Sequence, residues 1–269
     1  MIKVESLKYD TIFKKAFRPK DIFTGLVEDF TGVHLEIDEV ENDKVFTPPI
    51  GKVKVHFDLF AEDKKNRVIV EAQHATNKMP LVGYLDRFFY YHAAALIEMI
   101  HSSQNYRFPK IVLTLVFFTE KKSPKPDHNI LVQDSEIRTL KGEVVDIVGG
   151  FKHKVIFVFT TDPLADLEVP KPCLEWIEAI NDTLDGDIFD ETNYENPLIQ
   201  RLFETISVEK TTSKEKAKMK VELKQEEIDQ ILLENCREIA ANLKQQGKLT
   251  EDEIANVVNL PLEEVQALD

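Results

Sequence analysis

The chain has little cysteine. Cys173 and Cys236 are the only two in 269 residues. They stand far apart and neither has a C-x-x-C partner, so no disulfide framework and no cysteine zinc site is expected. A reducing, cytoplasmic compartment is the expected one. Long hydrophobic runs are missing too. No apolar stretch reaches about 18 residues, so neither a membrane span nor a membrane partner is expected. The opening MIKVESLKYD lacks the apolar segment of a secretory signal. Positive charge is in deficit: 34 Lys and Arg face 48 Asp and Glu, a net charge of −14. That argues against a broad basic footprint for nucleic acid. There is no Walker loop, no GxGxxG, no HExxH and no GxSxG, so no nucleotide cofactor, zinc protease or serine hydrolase is implied. The seven histidines include no H-x-x-x-H pair.

What is present fits a globular chain, with 43% hydrophobic and 30% charged residues. Leu7, Ile12, Phe13, Ala16 and Phe17 recur at helical spacing, and DIFTGLVEDFTG (21–32) predicts a second short helix stopped at Gly32. KVKVHFDLFAE (52–62) and RVIVEAQ (67–73) alternate like strands. Residues 79–104 carry a long helical pattern. KIVLTLVFFT (110–119) and HKVIFVFTTD (153–162) are apolar enough for strands covered on both faces. Segments 173–184 and 195–206 read as helices. Strands bracketed by helices place this first part in the α/β or α+β class. From residue 207 the chain turns long, charged and helical. Thr250 with Glu253 makes a capping-box start, and Pro261 suits the first turn of a last helix. The expected division is 1–206 and 207–269. The final helix pair carries Glu263 and Glu264, a poor composition for a DNA groove, and is expected to pack or to oligomerise.

The sharpest signal is VHFDLFAEDKKNRVIVEAQH (55–74). A four-residue loop at 63–66 pairs Glu62 with Arg67, Phe60 with Ile69, Asp58 with Glu71 and His56 with Gln73. One face then reads Val53, Val55, Phe57, Leu59, Val68, Val70 and Ala72. The other carries Lys54, His56, Asp58, Phe60, Ile69, Glu71 and Gln73. A loop shorter or longer by one residue would put the two apolar sets on opposite faces. Opposed carboxylates are destabilising in a sheet, unless a hard cation such as Mg²⁺ sits between them. Such an ion lowers the pKa of bound water and stabilises charge on a phosphoryl group. Acids facing water on a half-exposed sheet are the plain alternative. Residues 1–20 hold Lys3, Lys8, Lys14, Lys15, Arg18 and Lys20 against Glu5 and Asp10. This is a local basic cluster that could meet phosphate or could simply be a solvated helix face.

Asp58 followed by Glu71-Ala72-Gln73 resembles the PD-(D/E)xK nuclease core in its version with Gln for Lys. YDTIFKKAF (9–17), GYLDRFFYYHAAALIE (83–98) with its Y-x-x-R-x-x-x-Y spacing, NYRFPKIVLTLVFF (105–118) and the closing helix pair resemble the Rpn-type recombination-promoting nucleases, a transposase-related family. The resemblance covers about residues 5–120 and 235–268. It implies an αβα sandwich of restriction-endonuclease type with a mixed central sheet, here followed by a helical C-terminal extension. It implies a DNA endonuclease dependent on Mg²⁺, with Mn²⁺ as a substitute, linked to recombination or mobile elements. Asp58 and Glu71 would ligate metal, with the Ala72 carbonyl as a third ligand, and Gln73 would stand in the lysine position. Asp10 would add an outer acid. A glutamine amide orients water but brings no charge and is no useful base, so cations must come from elsewhere, with Lys14, Lys15 and Lys54 as candidates. By analogy the partners are DNA and a second copy, in a dimer through the C-terminal helices. The rival expectation is a catalytically silent nuclease fold serving as a nucleic-acid or protein interaction module.

Overall fold

The computed structural model describes residues 1–46, 53–74, 80–100, 107–119, 126–145, 152–161, 169–185, 188–189 and 193–268. The chain begins with β1 (Ile2–Lys3), α1 (Asp10–Phe17) and α2 (Lys20–Thr31), followed by β2 (Glu41–Phe46), β3 (Val55–Glu62) and β4 (Asn66–Gln73). Then come α3 (Leu81–Ile97), β5 (Ile111–Phe118), β6 (Ile130–Asp134), β7 (Lys154–Phe159), α4 (Lys171–Thr183) and β8 (Ile188–Phe189). The chain closes with α5 (Pro197–Thr205), α6 (Ser213–Gln246), α7 (Glu251–Val258) and α8 (Leu262–Gln266). The expected loop at 46–51 and the ends of the 79–104 pattern fall largely outside the described residues.

Six strands form one mixed sheet in the order β2-β3-β4-β5-β7-β6. The β4, β5 and β7 strands run parallel, and β2, β3 and β6 are antiparallel to their neighbours. Helices cover both faces. On one face Phe13, Phe17, Ile22, Phe23, Trp176 and Phe203 pack on Leu59, Val68, Val70, Leu113, Leu115 and Phe117. On the other, α3 sets Ala94 and Ala95 against Phe57, Phe60 and Ile69, and Tyr84 and Phe88 against Val116 and Phe118. The fold class is therefore α/β, and the central β5 is apolar toward both layers, as a doubly covered parallel strand must be. Gly32 ends α2 with φ 69°, a left-handed conformation that glycine takes without a Cβ penalty.

The hairpin keeps the expected register as far as Leu59; the expected pairs Asp58–Glu71 and His56–Gln73 lie beyond the end of its ladder. Glu62 pairs with Arg67, Ala61 with Val68, Phe60 with Ile69 and Leu59 with Val70. Its loop is an Asx turn: Asp63 Oδ1 accepts the N–H groups of Lys65 and Asn66, both at 2.6 Å. Arg67 is buried under α3. It donates to Glu62, to Glu98 at 2.6 Å and to the Ala95 carbonyl at 3.0 Å, and it stacks over Phe46 and Phe60.

Beyond Leu59 the expected face assignment fails. Val55 and Phe57 join Phe60 and Ile69 in the core under α3, while Leu59 and Ala61 lie in the opposite core. Val53, expected on the apolar face, is 60% exposed. The alternation of β3 reverses at Asp58. At that level β2, which the sequence pattern did not predict, holds Asp43 at φ 55°, and its ladder with β3 skips from Asn42–Leu59 to Lys44–Phe57. A left-handed residue in the neighbouring strand breaks the pleat and lets β3 turn over.

The 34-residue α6 starts with a capping box formed by Thr212 and Glu215. Its first half lies along α1, where Glu222 Oε1 accepts the Thr11 N–H at 3.2 Å. The N-cap of α1, Tyr9, makes no side-chain cap of its own. Glu222 thus places a carboxylate at a positive helix end. The second half of α6 joins α7 and α8 around Ala240, Ile254, Val258 and Val265. Thr250 and Glu253 form the expected capping box.

Candidate active site

The break at Asp58 makes a fork between β3 and β4. There the Asp58 N–H does not continue the ladder. It donates instead to Glu71 Oε1 at 3.2 Å, and the Ala72 N–H donates to Asp58 Oδ2 at 3.0 Å. The two acids named from the sequence are thus brought together, each anchored by the backbone of the other strand. In a strand the N–H and C=O of one residue face the same neighbour, so the Ala72 carbonyl opens toward Asp58 as well. The next residue alternates: the Gln73 carbonyl accepts from Thr119 on the β5 side.

From α1, Lys14 reaches into the fork. Its Nζ lies 3.4 Å from Asp58 Oδ1, 2.9 Å from Asp10 Oδ2 and 2.6 Å from Asp43 Oδ1. Asp10 therefore touches the site through Lys14. From α3, Arg87 donates to Gln73 Oε1 at 2.9 Å and to the Tyr91 hydroxyl at 3.2 Å. The Gln73 amide donates to the His74 carbonyl at 3.1 Å. His74 itself turns away toward Thr119, and His56 is exposed.

Asp43 and Arg87 were not singled out as chemical groups by the sequence reading. Asp43 lies on the unpredicted strand. Arg87 was visible only as the middle residue of the Y-x-x-R-x-x-x-Y spacing. The structure does not bring Lys15 or Lys54 to the acids. Lys15 binds the Lys210 carbonyl at 2.7 Å and Glu215 at 3.2 Å. Lys54 precedes β3 and is exposed.

The electrostatics follow from burial and from too few cations. Glu71 is 2% exposed. Burial, and then the Asp58 charge, hold its carboxyl well above the usual range. Burial, and then Asp10, push Asp58 up to about 6, although Lys14 and the Ala72 N–H pull the other way. Burial alone would lower the Lys14 ammonium, but Asp58, Asp43 and Asp10 outweigh it and raise it. Four carboxylates, Asp10, Asp43, Asp58 and Glu71, thus face two cations, Lys14 and Arg87.

The donors are all oxygens: two carboxylates and one carbonyl. No group of three or more His, Cys, Asp or Glu side chains is gathered as a metal cluster among the described residues. That set suits Mg²⁺, which takes one or two carboxylates and keeps several waters, and it does not suit zinc. No family model matches the chain, and neither curated proteins nor solved structures give a match. Among the described residues, no helix is long and apolar enough to cross a membrane.

Proposed function

We propose that the chain is a metal-dependent DNA endonuclease of PD-(D/E)xK type, centred on Asp58 and Glu71. One observation carries the reading. Two backbone-anchored carboxylates, Asp58 and Glu71, share a buried fork that raises both above their usual range, and a divalent ion between them would offset that cost. Asp58, Glu71 and the Ala72 carbonyl would hold Mg²⁺ or Mn²⁺. The ion supplies a more acidic bound water and charge stabilisation at a phosphoryl group.

The chain's own residues do the rest. Asp58 and Glu71 are fixed by N–H donors from opposite strands, so little reorganisation is needed. Gln73 stands in the lysine position without a charge, and Arg87, 2.9 Å from its amide oxygen, brings a guanidinium to that place. Arg87 would stabilise the charge that grows on the phosphoryl oxygens, and Gln73 would fix where Arg87 sits. Lys14 answers the outer charge of Asp10 and Asp43. In the net reaction water adds to phosphorus and one P–O bond breaks, with the proton passing to the leaving oxygen.

The reading extends to a dimer. Its support is that Val221, Ile228, Leu232 and Ile239 of α6 are all at least half exposed, at 68, 50, 55 and 50%. Their spacings of seven, four and seven residues form one helical stripe.

The second reading, a silent nuclease fold acting as an interaction module, is favoured by Lys14. Its ammonium already stands 3.4 Å from Asp58 where a cation would bind. Plasmid nicking in Mg²⁺, Mn²⁺ and EDTA tests the choice. Metal-dependent cutting by wild type, lost in Asp58→Ala and Glu71→Ala, supports the nuclease. Cutting that appears only in Gln73→Lys supports the module.

A further inference from the structure

Beside the fork, α1, β2 and the first two turns of α6 enclose a groove of about 650 Å³. Five cations line it: Lys14 and Lys15 from α1, Arg18 at its C-cap, and Lys214 and Lys218 from α6. Its acids are three, Asp10, Asp43 and Glu215. On a chain with a net charge of −14, this is a local reversal of sign. We propose that the groove seats the phosphate backbone of a single nucleic-acid strand on its way to Asp58 and Glu71. The proposal rests on the nuclease reading and names the form of its substrate.

Three features point to a phosphate ligand. Lys14 belongs both to the groove and to the acid pair, so the groove opens on the site. Arg18, Lys214 and Lys218 are exposed and have no carboxylate partner among the described residues, although acids outnumber bases along the chain. Lys214 and Lys218 are also one helical turn apart, a spacing at which like charges repel. An anion between them removes that cost.

The charge pattern beside the groove favours one strand over two. Further along α6 the face turned to α1 is acidic, with Glu222 at Thr11 and Glu226 near Lys8 and His74. A second strand there would be repelled. Among the described residues the groove lining holds no aromatic side chain on which bases could stack, so contact is through the backbone and indifferent to base identity.

The test is fluorescence anisotropy of a labelled 12-nucleotide single-stranded DNA in EDTA, at several KCl concentrations. The double variant Lys214→Glu/Lys218→Glu is expected to lose at least tenfold in affinity. Its log–log salt slope should flatten by about 1.4, at about 0.7 per lost phosphate contact on a single strand. Arg18→Glu should weaken binding in the same direction, while Lys171→Glu, on the exposed part of α4, should not. A mixed-base strand and a homopolymer should bind alike, and a 12-base-pair duplex at least tenfold more weakly. Wild type that fails to bind the strand, a double variant that binds unchanged, or equal affinity for duplex would overturn the proposal. The two readings fail separately. Groove-dependent binding without plasmid cutting removes the nuclease and keeps the groove, and cutting with unchanged binding in the double variant does the reverse.

Discussion

Asp58→Asn tests the electrostatics of the fork without disturbing its shape. Asparagine keeps an oxygen for the Ala72 N–H and loses the charge. Wild-type Asp58 rises from 3.8 to about 6 on folding, chiefly through burial and then Asp10. The native state therefore binds more protons than the unfolded state between those values, and the contribution of Asp58 to stability falls as pH rises from about 4 through 6. A shift of roughly two units corresponds to about 3 kcal/mol once the group is ionised in both states. In EDTA, the stability of Asp58→Asn relative to wild type should grow by about 3 kcal/mol between pH 4 and pH 7.5. For a chain of this size that is about 6–10 °C in Tm. Differential scanning fluorimetry across pH reads it; the difference between the proteins cancels the groups that do not feel Asp58, and leaves Asp58 together with Glu71, whose carboxyl the Asp58 charge helps to raise. Adding Mg²⁺ should raise wild type at pH 7.5 and leave the variant unchanged, because only the ionised pair binds the ion. A difference between the two proteins that is flat with pH would refute the account of a charge-starved fork.

Arg87→Gln should lower the rate of nicking by about 10²-fold or more, the scale of losing one preorganised charged donor, while circular dichroism stays native; single-turnover rates measure it. Arg67→Met should cost about 3 kcal/mol in urea denaturation, because Glu62, Glu98 and the Ala95 carbonyl lose a buried guanidinium. His92 is 4% exposed, contacts Thr114 Oγ1 at 2.9 Å, and is held down to about 4 by burial and then by His153. Its folded value lies below the unfolded one, so stability is lost as pH falls from about 6.5 toward 4, by about 3 kcal/mol. His92→Gln should remove that acid limb from a pH series of denaturation curves.

The register of the hairpin near its turn was legible because only a four-residue loop puts Leu59 and Ala61 on the face of Val68 and Val70; the structure adds the Asp63 Asx turn that closes that loop. The central strands were legible because β5 and β7 are apolar on both sides. The pleat reversal at Asp58 was not, because period two was assumed to run the whole length of β3. The residue that breaks it, Asp43, sits on a strand whose sequence, ENDKVF, carries no apolar alternation and is held by its partner β3. Lys54 was placed by the same assumption and stands outside the strand. Lys14 could be read as a cation near the acids, since helix spacing turned it away from the buried face of α1. Arg87 could not be read as the partner of Gln73, because that contact depends on where α3 crosses the end of β4.

The central claim is that Asp58 and Glu71 hold a divalent cation. A crystal grown with Mn²⁺ at pH 8 and measured for anomalous scattering tests it most directly. The account predicts a peak between the two carboxylates and the Ala72 carbonyl, with Lys14 displaced toward Asp10 and Asp43. No peak at the fork, with Lys14 still in contact with Asp58, would contradict it.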